Sequence, residues 1–153
     1  MLSRKLENTT LKKEYLNNVL MKYIPYTGTD QIKFGMTRKE IRQILNLDFS
    51  SFRRNEFAEN TTDFFPSLEL FVEYDKNDIC EALEFTKEGN LIWKGIDLCK
   101  SHFSQLTAKL DLVSSDIEEE ESTKTYHDLG ITISVGKEED EIETVMVFSK
   151  NYW

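Results

Sequence analysis

Residues 68–85 read Leu-Glu-Leu-Phe-Val-Glu-Tyr-Asp-Lys-Asn-Asp-Ile-Cys-Glu-Ala-Leu-Glu-Phe, and this stretch decides the fold class. Leu68, Leu70, Val72 and Tyr74 alternate with Glu69, Phe71 and Glu73, the period of two expected of a strand with one buried face. Asp75-Lys76-Asn77-Asp78 is made of turn formers, and Ile79 to Phe85 returns as a second strand, so the stretch predicts a β-hairpin. A closing hairpin is predicted further on, where Ile131, Ile133 and Val135 alternate, Gly136 to Glu141 turns, and Thr144 to Phe148 alternates again.

Outward from these hairpins the period changes. Leu11, Tyr15, Leu16, Val19, Leu20 and Tyr23 recur at spacings of three and four and predict a first helix ended by Pro25. Residues 26–33 look like a connector. Thr37 stands three residues before Glu40, the spacing of a capping box, and Ile41, Ile44 and Leu45 give the second helix its apolar face. From Asp48 to Pro66 the pattern is irregular and predicts an ordered loop in which Phe49, Phe52, Phe57, Phe64 and Phe65 pack, since exposed they would invite aggregation. Glu88-Gly89-Asn90 is a turn before the short apolar piece Leu91-Ile92-Trp93. A third helix carries Phe103, Leu106, Leu110 and Val113, with Ser101 as its expected cap. Ser114 to Thr125 is too acidic for a buried element and predicts a solvated loop.

The expectation is an α+β fold: an antiparallel sheet of about five to six strands built from hairpins, with three helices packed mainly on one face. The 153 residues suit a single domain, residues 1–153, with a helical part at about 1–47 and the sheet and third helix at about 67–153. No internal repeat or dividing linker is visible in the sequence.

Composition narrows the function classes. No stretch approaches the roughly 20 apolar residues of a membrane helix. The basic start, Met1 to Glu7, is followed by no apolar core or cleavage site, so export is not expected and a cytoplasmic location is. Two cysteines, Cys80 and Cys99, fit a reducing compartment and predict buried free thiols. The net charge of −9 is unevenly placed: residues 1–54 hold 11 Lys/Arg and 5 Asp/Glu, and residues 55–153 hold 8 and 23. Such a surplus repels nucleic-acid phosphates and attracts basic partners.

Chemistry-bearing sets are poorly formed. Cys80, Cys99, His102 and His127 are enough for a tetrahedral zinc, but only Cys99 and His102 stand at knuckle spacing, so no metal is expected. The acidic runs lack the alternate-ligand spacing and central glycine of a calcium loop. No phosphate cradle, nucleophile elbow or paired-histidine metal motif is present, so neither a cofactor nor catalysis is expected. Two acidic patches remain: Asp116, Glu118, Glu119, Glu120 and Glu121, and then Glu138, Glu139, Asp140 and Glu141, running on to Glu143. Together with Asp128 and the aromatics Tyr126, Tyr152 and Trp153 they form the candidate partner-binding set, because aromatic anchors dominate interface energies.

The order of Gly35-Met36-Thr37-Arg38-Lys39-Glu40-Ile41, Val72-Glu73-Tyr74, Glu81-Ala82-Leu83-Glu84-Phe85, Leu106 to Leu110, Leu129-Gly130-Ile131-Thr132-Ile133 and Ile142-Glu143-Thr144-Val145-Met146-Val147 resembles small immunity proteins of bacterial polymorphic-toxin and contact-dependent inhibition systems. The likeness runs over about residues 30–150. It implies a cytoplasmic protein that binds and inactivates a cognate toxin C-terminal domain; a monomer or weak dimer is expected. Many such toxins are basic nucleases. Two other readings stay open: a non-enzymatic adaptor for a housekeeping protein, and a small hydrolase using His102 or His127 as a base.

Overall fold

The computed structural model describes residues 20–153. Among these, twelve strands form two sheets, joined by two α-helices and a single-turn 3₁₀ helix, Pro66–Leu68. In chain order the strands are β1 (Met21–Ile24), β2 (Gly28–Thr29), β3 (Ser50–Phe52), β4 (Thr62–Phe65), β5 (Leu70–Tyr74), β6 (Cys80–Thr86), β7 (Leu91–Trp93), β8 (Ile96–Asp97), β9 (Ile117–Glu119), β10 (Thr123–Tyr126), β11 (Ile131–Val135) and β12 (Ile142–Phe148). Helix α1 (Arg38–Leu45) precedes β3, and α2 (Phe103–Asp111) precedes β9. This overturns the expected single sheet of five to six strands with three helices; the described chain is mostly sheet.

The smaller sheet has the order β2-β1-β7-β8 and the larger one β3-β4-β5-β6-β12-β11-β10-β9. Every pairing in the larger sheet is antiparallel. It is two four-stranded meanders, β3 to β6 and β9 to β12, joined where β6 meets β12. The same succession therefore occurs twice along the chain: a short hairpin, a helix, a meander. The repeat lies in topology, where the sequence shows none.

Register separates the two faces of the larger sheet. Asp63, Val72, Leu83, Val147, Ile131, Tyr126 and Ile117 are successive partners in one row across it. This row looks inward. Asp63 meets Arg38 and Arg42 of α1, and the Tyr126 hydroxyl meets Asp111 of α2, so both helices lie on this face. Ile41, Leu45, Leu106 and Leu110 join Leu70, Phe85, Ile133 and Val145 in one continuous core. The opposite row, Phe64, Phe71, Glu84, Met146, Thr132, Thr125 and Glu118, looks outward; Glu118 is exposed, Phe64, Phe71, Glu84 and Met146 are half-buried, and Thr125 and Thr132 are buried.

The two predicted hairpins form as read, β5–β6 and β11–β12. The Asp75 carboxylate accepts from the amides of Asn77 and Ile79, which fixes the first turn. Leu68 falls in the 3₁₀ turn and not in the strand. Elsewhere the expectations fail for identifiable reasons. The first helix is contradicted at its end, where Met21–Ile24 is a strand with Met21 and Tyr23 buried and Lys22 and Ile24 exposed. Pro25 biases its predecessor towards extended backbone. The rest of that helix, residues 11–19, lies outside the described residues. The expected loop at 48–66 contains β3 and β4, whose period was hidden because the inward partner of Phe65 is a carboxylate, Asp63. Its aromatics do not all pack: Phe65 is fully buried, while Phe57 is 85% exposed. The expected loop at 114–125 contains β9 and the start of β10, with Lys124 placed between Asp111 and Glu119 at 2.9 and 3.0 Å to offset their charge.

Candidate protein-binding surface

Both acidic patches reach the same end of the larger sheet. The Glu120 amide donates to the Thr123 carbonyl (2.9 Å), closing the β9–β10 turn, and the Val135 amide donates to the Ser122 carbonyl (2.9 Å). The latter bond brings that turn beside the β11–β12 turn, itself closed by the Gly136 amide on the Glu141 carbonyl at 2.7 Å. The turn after β6 lies at this end too, because Thr86 pairs with Thr144. Local chemistry explains each bend: consecutive carboxylates resist burial, and Gly136 and Ser122 add little bulk.

Pairing within the chain removes some of these charges and leaves others. Asp140 is committed to α2, where its carboxylate accepts from the Ser104 amide and hydroxyl, both at 2.7 Å. Those two bonds hold the Asp140 carboxyl below the usual carboxylate range. Glu141 pairs with Lys87. Glu88, Glu120, Glu121, Glu138, Glu139 and Glu143 have no ion-pair partner among the described residues. Lys100 is spent on the Gly89 carbonyl (3.1 Å) and on Asn90, which leaves Lys137 as the cation at this end without an ion-pair partner among the described residues.

The remaining predicted residues are dispersed. Asp116 sits where β9 begins, its carbonyl accepting from the His127 amide at 2.9 Å. Glu118 faces outward with its carboxylate 3.1 Å from His127 Nε2, and Glu119 pairs with Lys124. Asp128 clips the chain after α2 by accepting from the Ser114 hydroxyl and the Ser115 amide. Burial pushes this carboxyl up, but those bonds outweigh it and bring it below the ordinary value. Tyr126 is a core residue, fully buried and bonded at 2.7 Å to Asp111, so no partner reaches it. Tyr152 and Trp153 lie at the other end of the sheet, packed on Phe148 with ring centroids 5.9 and 5.7 Å away.

No family model matches the sequence, and no curated protein or solved structure matches it.

The cysteines and histidines stay apart. Cys80 and Cys99 are buried free thiols, each pushed up to about 12 by burial. No group of three His, Cys, Asp or Glu is placed to hold a metal among the described residues, nor is any helix there long and apolar enough to cross a membrane. Sequence reasoning missed two polar clusters. One is Asp63 with Arg38, Arg42 and Tyr74 beneath the sheet; the other is Arg54 with Glu73 and Glu84 on its outer face. A signal for the second was present: Phe71 occupies an outward position between Glu69 and Glu73.

Proposed function

We propose that the chain acts by binding a cationic protein, as an immunity protein neutralises a toxin domain. The observation that supports this reading is the meeting of two acidic turns at one end of the sheet, with six carboxylates lacking partners in the described chain. Unpaired like charges held together on a rigid sheet are unfavourable alone and are relieved by a positive surface. On a basic nuclease they would occupy the ground that substrate phosphates occupy. Opposite fields raise encounter rates towards about 10⁸–10⁹ M⁻¹s⁻¹ at low salt, and the apolar contacts then govern release. Protection from a catalytic toxin requires an affinity near nanomolar, about −12 kcal/mol.

The test is to mix the purified chain with the basic toxin domain encoded beside its gene, and to co-express the two. A complex, and rescue of growth, are expected; no complex at micromolar concentrations would sink the reading. Replacing Glu120, Glu121, Glu138 and Glu139 by glutamine should lower the association rate constant roughly tenfold and flatten its dependence on salt, with dissociation nearly unchanged.

A further inference from the structure

Among the described residues, the outward face of the larger sheet is half-buried over much of its area and holds more apolar and aromatic surface than a solvated sheet face requires. Phe64 and Phe71 stack at 4.4 Å, Phe52 meets Phe71 edge-on at 6.1 Å, and the Arg54 guanidinium lies 4.4 Å over the Phe71 ring. Across the sheet, Phe148 is covered by Tyr26, Tyr152 and Trp153. Between these groups run the half-buried Glu73, Glu84 and Met146, with Ala82 wholly buried beneath them. Two large side chains at the margin are left to solvent: Phe57 at 85% and Trp153 at 69% exposure.

A recess of about 250 Å³ opens on this face between the loop before β4 and the β5–β6 strands, lined among others by Glu59, Glu73, Glu81 and Tyr152. Arg54 at its wall reaches Glu84 at 2.9 Å and Glu73 at 3.7 Å. Glu59 and Glu81 have no such partner among the described residues. Burial raises the Glu81 carboxyl above its ordinary value, and Asp75, Glu73 and Glu59 raise it further. Glu73 is raised by burial against the pull of Arg54 and the Tyr152 hydrogen bond.

We infer that this outer face is a docking surface for a polypeptide segment that alternates aromatic or aliphatic side chains with arginine or lysine, one cation entering the recess beside Glu81 and Tyr152. The inference rests on the reading that the partner is a cationic protein, and it adds where the apolar part of the contact lies. Charge decides among occupants. A second copy would set the same surplus of carboxylates against itself, and a phosphate surface would meet it with like sign. Size is adequate: eight strands at about 4.8 Å spacing, from about 10 Å at the edges to about 23 Å at the centre, present roughly 600 Å², approaching one side of a standard interface. The division of labour follows from position. The acidic end draws the partner in, and Phe57, Met146 and Trp153 supply anchors that expel water.

The test uses the full chain, isotopically labelled, and a synthetic hexapeptide amide of alternating arginine and tryptophan. Saturable shifts of the Met146 methyl and the Trp153 indole N–H are expected. An alternating glutamate and tryptophan peptide should leave them in place, and an alternating arginine and serine peptide should bind more weakly by roughly fivefold or more. Phe57→Ser, Trp153→Ala and Glu81→Gln change exposed or half-exposed side chains and should each weaken the first peptide by a similar factor. Shifts confined to residues 120–122 and 136–141 would overturn the inference while leaving the cationic-partner reading intact. Equal response to the acidic peptide would also overturn it, as mere apolar adhesion. No shift anywhere on the protein would overturn the inference, and the cationic-partner reading then stands or falls on complex formation with the toxin domain.

Discussion

Asp63 shows how one side chain can organise a fold while remaining invisible to pattern reading. Its carboxylate is wholly buried, yet it accepts from Arg38 at 2.9 Å, from Arg42 at 2.8 Å through both oxygens, and from the Tyr74 hydroxyl at 3.0 Å. Arg38 continues to Asn60, to the Thr61 carbonyl and to Asp78, so α1, β4, β5 and the β5–β6 turn meet at one polar centre. Burial pushes the Asp63 carboxyl up, and the bonds from Arg42 and Tyr74 with the charges of both arginines more than reverse that. The folded value therefore lies below the unfolded one. Its stabilisation is complete above the unfolded value of about 3.9 and is lost as pH falls from there through the folded value. Asp63→Asn should lower stability by about 3–5 kcal/mol in urea unfolding at pH 7, because two guanidinium groups lose their countercharge. As pH falls below about 4 and the folded carboxyl takes up its proton, the gap between variant and parent should close; a gap that stayed constant through acid unfolding would contradict the assignment.

At the scale of elements, legibility depended on whether the inward positions were apolar. The β5–β6 hairpin could be read because Leu70, Val72, Leu83 and Phe85 all face the core. Strand β4 could not, because Asp63 occupies the position that a hydrophobe would have marked, and β10 could not, because Lys124 does the same. The first acidic run, expected as a loop over Ser114 to Thr125, is a turn only at 120–122 between β9 and β10, and its meeting with the turn at 136–141 depends on register across β9, β10 and β11, which spacing alone does not encode. Helix starts divide in the same way. Thr37 caps α1 as the spacing predicts, its hydroxyl accepting from the Glu40 amide at 3.1 Å. Thr37→Ala should cost about 1 kcal/mol. Helix α2 has no local side-chain cap: Ser101 is turned to the Asp97 carbonyl, and Asp140 from the β11–β12 turn serves instead. Asp140→Ala should speed hydrogen exchange at the Ser104 amide and loosen that turn, with α1 unchanged; unaltered exchange at Ser104 would count against the cap.

For the whole molecule, the decisive feature is the seam between the two meanders. Strands β6 and β12 pair over five positions, Thr86–Thr144 to Ala82–Phe148, whereas β1 and β7 join the smaller sheet over two. The seam is enclosed on both sides at one end, where Val147 and Leu83 face the core while Tyr26, Tyr152 and Trp153 cover Phe148 outside. Along the rest of it, Glu84 and Met146 face outward, so the proposed docking face spans both halves. If the halves were separate cooperative units, a ligand across the seam would have to organise them; if they are one unit, the face is preformed and binding costs little ordering. The shared core favours the second case. Native-state hydrogen exchange at Leu83, Phe85, Val145 and Val147 should therefore report a single opening free energy equal to that of global unfolding, with Ser51 and Glu118 on the edge strands exchanging far faster. Two plateaus, one for β5–β6 and a lower one for β11–β12, would show that the seam opens on its own, and a partner bridging it should then raise the lower plateau first.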